Sequence, residues 1–270
     1  MQFDKVISVC TSKDIDVWEI AAFCIIERIN SRVYDVIVPD KELNLFRRIS
    51  PSIYNVISEN IYFEKFLPSL QKFSDYSKTS MNWYIQQFLK LSALSEIGKD
   101  EIALIWDADT IPLRKIKFEK NGKLVFYKSN EYHEPYFKVI KNLLGLEKNI
   151  NYSYIAQCIP CKGSWIKSLI NEIERDNISW QQLTIDSIDF TQASGFSEYE
   201  TIGTYIQARF SDEMHISDKK WLRYGNGLIG SARHLKYFSW ILSIKYDFVS
   251  FEKWDPPYST LKKIFKKIVK

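Results

Sequence analysis

The stretch Ile102-Ala-Leu-Ile-Trp-Asp107-Ala-Asp109-Thr-Ile-Pro112 decides how the rest of the chain is read. Five consecutive apolar residues without polar alternation are the pattern of a strand covered on both faces, which belongs to α/β sheets rather than to one-sided antiparallel ones. The run ends in two carboxylates, two positions apart, where the strand must give way to a turn. α/β sheets bind ligands outside the carboxyl ends of their strands, so Asp107 and Asp109 stand where a site would be. Two acids at a buried strand end are costly without a neutralising cation. Together they can approach one octahedral divalent ion, directly or through water, whose remaining positions take phosphate oxygens. The purely structural counterpart is a pair of Asx-turns ahead of Pro112.

Upstream, residues 83–97 carry Tyr84, Ile85, Phe88, Leu89, Leu91 and Leu94 as a broad apolar stripe before Gly98, which predicts a helix. Residues 6–10 and 34–38 read as short strands. Between them, residues 17–29 place Val17, Ile20, Ala21, Cys24 and Ile25 at helical spacing. Strand, helix and strand in this order and length predict a right-handed βαβ unit. Downstream, the pattern predicts a strand at 124–127, helices at 164–175 and 199–209, and an aromatic-rich C-terminal region without internal repeats.

A chain of 270 residues that is 46% hydrophobic can bury a sizeable core as one domain, and 9 Gly with 8 Pro leave little room for disordered linkers. A net charge of +4 from 37 basic and 33 acidic residues argues against a nucleic-acid partner. Much of that excess lies in Leu261-Lys-Lys-Ile-Phe-Lys-Lys-Ile-Val-Lys270, where Leu261, Ile264, Phe265 and Ile268 fall at helical spacing among lysines. Residues 256–270 therefore read as a basic amphipathic tail after a domain at 1–255. The tail suits peripheral contact with anionic lipid, or equally a terminal helix packed on the domain. Of the four cysteines, Cys10 and Cys24 sit in apolar surroundings. Cys158 and Cys161 read as packed thiols rather than a metal or redox pair, since half a zinc site is missing and no helix start is evident there. With neither signal peptide nor spanning segment in view, a cytoplasmic location, peripheral at the inner membrane face, is the expectation.

The segment 102–112 resembles the "apolar strand, Asp-x-Asp, small residue, apolar, Pro" element of GT-A-fold glycosyltransferases. The helix Asn82-Trp-Tyr-Ile-Gln-Gln-Phe-Leu-Lys-Leu91 resembles the matching helix of bacterial surface-polysaccharide (capsule and lipopolysaccharide) transferases. With the βαβ unit, the likeness covers about the first 115 residues. It implies a single GT-A-like, Rossmann-like α/β domain with a mixed central sheet flanked by helices. It also implies a hexosyltransferase-like enzyme that uses Mn²⁺ or Mg²⁺ on Asp107 and Asp109 to move a sugar from a nucleotide-sugar donor to a hydroxyl of a glycan or lipid-linked glycan.

Other residues join this reading. Trp83, Gln86, Gln87 and Lys90 share one helix face and are candidates for the donor, with a solvated face as the bland alternative for Lys90. Thr11 and Ser12, with Lys13, follow the first strand and would touch the nucleotide or cap the next helix. Asp14 and Asp16 repeat the Asp-x-Asp spacing but sit before a helix, where capping is the natural role. Glu198 and Glu200 are candidates for the general base of an inverting transfer, although Ser197-x-x-Glu200 is also a capping box. The resemblance further implies a third metal ligand at His234, with His215 a weaker candidate, while His133 would line the acceptor pocket. Rival readings are a sugar-phosphate nucleotidyltransferase, which would want a glycine-rich phosphate loop that the sequence lacks, and a non-catalytic carbohydrate-binding protein.

Overall fold

A computed structural model describes residues 1–217 and 219–262. Strand β1 (Phe3–Val9) leads through α1 (Ile15–Arg28) to β2 (Ser31–Val38), then through α2 (Leu43–Ile49) to β3 (Tyr54–Ser58). Two short helices, α3 (Asn60–Phe63) and α4 (Leu67–Gln71), precede the long α5 (Met81–Ser95). Next come β4 (Ile102–Trp106), β5 (Thr110–Pro112), the hairpin β6 (Glu119–Lys120) and β7 (Lys123–Phe126), and α6 (Glu134–Leu144). The remainder comprises β8 (Cys158–Lys162), α7 (Gly163–Ile173), α8 (Trp180–Ser187), α9 (Glu198–Arg209), β9 (Met214–Ile216), β10 (Lys220–Leu222), α10 (Gly225–Ile229), α11 (Leu235–Lys245) and β11 (Tyr246–Ser250).

The central sheet has the order β3-β2-β1-β4-β8, parallel except for the antiparallel edge strand β8. This is the mixed sheet flanked by helices that the sequence predicts. Strand β4 is buried on both faces, as its unbroken apolar run requires. Ala103 and Ile105 pack into a core with α5, α7 and α9, whereas Leu104 and Trp106 pack into a second core with α1 and β11. Strand β8 works the same way, and this settles the cysteine pair. Three residues apart on a strand point to opposite faces, so Cys158 joins one core and Cys161 the other, both as free thiols. A helix does start directly after them, at Gly163, but the thiols do not face each other across it.

Two smaller sheets complete the sheet inventory among the described residues. One is β6-β7-β9; the other is β10-β11-β5, in which β11 runs antiparallel to β5 with Val249 opposite Ile111. Residues 256–262 do not hang free of the domain. Tyr258 N donates to Asn226 O at 3.0 Å, and Asp255 accepts from Gly227 N at 2.5 Å, which ties this segment to α10. Most of the amphipathic tail pattern, including Ile264, Phe265 and Ile268, lies outside the described residues. Among the described residues no helix is long and apolar enough to cross a membrane.

Candidate active site

In the sheet, β2 lies on one side of β1 and β4 on the other, so the chain reverses direction of winding at the β1–β4 boundary. A crevice opens at such a switch point, beyond the carboxyl ends of the two strands. There β1 delivers Asp14, and β4 delivers Asp107 and Asp109. The acidic turn is braced on several sides. Asp107 N donates to Gln157 O at 2.9 Å, Thr110 N closes the turn on Asp107 O at 3.0 Å, and Phe251 N donates to Asp109 O at 2.9 Å. The indole of Trp106 adds a bond to Thr110 O at 2.8 Å.

The turn forms one wall of a cavity of about 280 Å³, completed by Trp83, Gln86, Gln87 and Lys90 from α5, Tyr199 from α9, and Arg223, Glu252 and Trp254 from the C-terminal region. Lys90 is only 2% exposed. Its ammonium lies 2.5 Å from Asp107 Oδ1 and 2.9 Å from Glu198 Oε1, over the ring of Tyr199. The Tyr199 hydroxyl donates to the same Asp107 oxygen at 2.8 Å. Burial opposes the charge on Lys90, but the two carboxylates outweigh it and hold its pKa above the ordinary lysine value. Glu198 is pushed up by burial, partly offset by Lys90. One cation thus serves two acids, and Glu198 Oε2 has no hydrogen-bond partner among the described residues.

A second set of charges centres on Glu252, which accepts from Gln157 Nε2 at 2.7 Å, from Arg223 Nε at 2.8 Å and from the Trp254 indole. Arg223 also pairs with Glu131, and Lys253 stands 3.5 Å from Asp14. Asp109 receives less. Among the described residues its Oδ1 accepts only from the hydroxyls of Thr110 and Ser250, at 3.1 and 3.4 Å. Burial first, and then repulsion from Asp107, Glu252 and Asp14, push its carboxyl up to about 8. Five acidic side chains line the cavity (Asp14, Asp107, Asp109, Glu131, Glu252) against three cations (Lys90, Arg223, Lys253), and the raised Asp109 carboxyl reflects how incompletely they are compensated.

The sequence-derived candidates divide on this geometry. Asp107, Asp109, Trp83, Gln86 and Gln87 meet in the cavity wall, and Gln87 Oε1 also accepts from Glu198 N at 3.3 Å. Lys90 faces inward rather than into solvent. Asp14 lines the cavity and makes no side-chain capping bond, whereas Asp16 stays at the surface. Thr11 and Ser12 lie at the expected sheet edge but outside the cavity wall. Neither hydroxyl caps the following helix; Ser12 Oγ instead donates to Glu42 at 2.6 Å. Glu198 and Glu200 are 0% and 1% exposed, and neither lines the cavity. Only half of the capping box forms: Ser197 Oγ accepts from Glu200 N, while the Glu200 carboxylate turns to Tyr154 N and Lys148. His133 bonds Ala193 O and packs edge-on against Tyr136, which itself reaches the cavity. His215 sits beside Lys120 in the small β6-β7-β9 sheet.

His234 bonds Ile229 O and lines a separate apolar cleft, so the structure does not bring it to the acids. No group of three or more His, Cys, Asp or Glu side chains disposed around a metal position occurs among the described residues. The residues present still fit a hard divalent ion. Asp109 is held unfavourably among like charges, and two carboxylates with oxygen ligands from a phosphate and water are a common way to hold Mg²⁺. Sequence reasoning missed Glu252, Arg223, Gln157 and Trp254. For Glu252 a signal existed: it follows an apolar strand, Phe248 to Phe251, much as Asp107 follows β4.

Comparison with known proteins adds three findings. Residues 6–221 match a family described as "Family of unknown function (DUF6492)". No curated protein matches the chain. Among solved structures, mouse xyloside xylosyltransferase 1 in its apo form superposes with a TM-score of 0.50 at 11% identity, covering 95% of this chain and 99% of that one. The galactosyltransferase LgtC, solved with donor and acceptor sugar analogs, superposes with a TM-score of 0.46 at 11% identity, over 92% of this chain and 86% of that one. At such low identity the first likeness speaks to the fold alone, which is GT-A-like.

Proposed function

This chain belongs to family DUF6492, and on a GT-A-like fold with an acid-rich cavity at the sheet's switch point we propose that it is a metal-dependent glycosyltransferase. The observation that carries the reading is the surplus of carboxylates around Asp109. A cavity with five acidic side chains and three cations, all three cations already paired with acids, offers a diphosphate little attraction unless a divalent cation accompanies it. Asp107 and Asp109 are the residues that would hold Mn²⁺ or Mg²⁺, and the ion would neutralise the leaving nucleoside diphosphate of a nucleotide-sugar donor.

The chain's own groups supply the rest. Lys90 and Tyr199 fix one oxygen of Asp107, leaving the other for the ion. Trp83 and Gln86 offer an indole and an amide to the donor. Glu252 and its partners Arg223 and Trp254 form the opposite wall, where an acceptor hydroxyl can be oriented by hydrogen bonds. In this reading Glu198 acts by positioning Lys90, and Glu200 by anchoring Tyr154, rather than as the base. The acceptor is a glycan hydroxyl, of the bacterial surface type that the 82–91 helix resembles.

A thermal-shift screen of nucleotide sugars with and without Mn²⁺ tests this. At ligand concentrations about 100-fold above Kd, a stabilisation of roughly 2.7 kcal/mol is expected, dependent on Mn²⁺ and absent in Asp109→Asn. If no nucleotide sugar stabilises the wild type more than it stabilises Asp107→Ala, the proposal fails.

A further inference from the structure

Helix α11 is built the wrong way round for a helix of a water-exposed surface. Its sequence, Leu-Lys-Tyr-Phe-Ser-Trp-Ile-Leu-Ser-Ile-Lys, is mostly apolar, yet only Leu235 and Leu242 are buried. Tyr237, Trp240, Ile241 and Ile244 fall at i, i+3, i+4 and i+7, so they form one stripe, and that stripe faces outward. Tyr237 is 62%, Trp240 68% and Ile244 72% exposed. An apolar helix is normally buried, and a contiguous exposed apolar face marks an interaction surface.

The surroundings identify the partner's chemistry. Lys236 and Lys245 flank the stripe on either side, and Arg233 precedes it; between Ser231 and Lys245 there is no acid. Beside α11 runs an apolar cleft of about 610 Å³, walled by Phe238, Ile241, Leu242, Tyr246, Tyr258 and Leu261. Leu261 lines this cleft, and the sequence after it carries five lysines and no acid. A second copy docking through a two-fold axis would set this lysine-flanked face against itself, with no acid in residues 231–245 to compensate. The chain's own tail carries the same sign of charge. Indole and phenol groups beside aliphatic ones, rimmed by lysine, are the composition that inserts between lipid headgroups, and the basic rim complements a negatively charged leaflet.

We propose that the α11 face, with its adjoining cleft, is a docking surface for an anionic lipid bilayer. It is separate from the acid-lined cavity and does not depend on the donor chemistry assigned there.

The test is co-sedimentation of the full chain with vesicles of phosphatidylcholine and phosphatidylglycerol in equal parts, against vesicles of phosphatidylcholine alone. Wild type is expected to bind the anionic vesicles, to bind the neutral ones more weakly, and to be released by salt. The double variant Trp240→Gln/Ile244→Gln changes only exposed side chains and should keep the wild-type circular dichroism and melting curve. Its vesicle affinity should fall about tenfold or more. Asp109→Asn should bind vesicles as wild type does, which keeps this proposal apart from the catalytic one. Three results would overturn it: wild type ignores anionic vesicles; the double variant binds them undiminished, leaving the tail lysines as the whole attraction; or sedimentation velocity shows a self-association that the double variant abolishes, without lipid binding.

Discussion

Lys90 is the residue on which most of the buried charge turns. Its ammonium is shared between Asp107 and the fully buried Glu198. Lys90→Met would leave the fully buried Glu198 carboxylate without its cation beside the partly exposed Asp107, and removal of one partner from a buried ion pair costs about 3–5 kcal/mol. Urea unfolding should show a loss of that order, and Glu198→Gln in the Lys90→Met background should recover part of it. Strict additivity of the two changes would mean that the three groups do not act as a unit. Glu59 offers a pH-dependent case away from the cavity. Burial, reinforced by Glu42 and Asp40, raises its carboxyl to about 7. Below the unfolded value of about 4.3 both states carry the proton, and Glu59 imposes no penalty. As the pH rises from there through 7, the folded chain retains a proton that the unfolded chain releases, so stability falls. Glu59→Gln should therefore stabilise the protein at pH 8, by on the order of 1 kcal/mol after solvent screening, and leave it unchanged near pH 4. Equal effects at both pH values would show that the carboxyl is not perturbed.

Among the elements, α9 carries the closest packing. It is buried along most of its length, and Gly203 lets Tyr154 lie against its backbone: a Cβ at that position would fall 2.1 Å from Tyr154 Cγ. Gly203→Ala should cost about 1–3 kcal/mol through overpacking, measured by thermal or urea unfolding, whereas an unchanged midpoint would mean that the Tyr154 ring can move aside. This helix also shows where sequence reading succeeds and stops. Its start after Ser197 was legible because a capping residue and an apolar run are local signals. The same holds for β1, β2, β4, α1 and α5, whose stripes or unbroken apolar runs fix their limits to within about three residues. Strand β8 was not legible: Pro160 sits in it opposite Leu104, tolerated because the strand lies at the sheet edge. Asp107 and Asp109 were legible as an acidic turn at a strand's carboxyl end for the reason β4 was, whereas the inward turn of Lys90 depends on Glu198, more than a hundred positions away. Burial that arises from such a distant partner leaves no periodic trace, so a solvated lysine and a buried one look alike in the sequence. Asp14 differs for a related reason: it does stand at the N-cap of α1, as its place before a helix suggested, but its side chain makes no capping bond and lines the cavity after β1.

At the scale of the molecule, the cavity draws its walls from Asp14 to Trp254, nearly the full length of the described chain. Strand β11 is the piece that closes it, pairing with β5 and carrying the backbone onward to Glu252. A chain ending at Lys245 lacks that strand, and with it the Phe248 ring that packs edge-on against Trp106, so it should lose its near-ultraviolet circular dichroism and its cooperative denaturant transition. A sharp two-state transition in that truncation would show that β11 is an accessory. The β5–β11 pairing bears, finally, on biosynthesis. The ribosome delivers the acidic turn at 107–109 long before it delivers residues 246–250, which pair with β5. The nascent chain can assemble the sheet strands β1 to β4 while it is still being extended, but its concentration of negative charge waits for the last strand. Completion of the cavity wall therefore follows synthesis of Trp254, and a chain released before that point carries the acids without the scaffold that organises them.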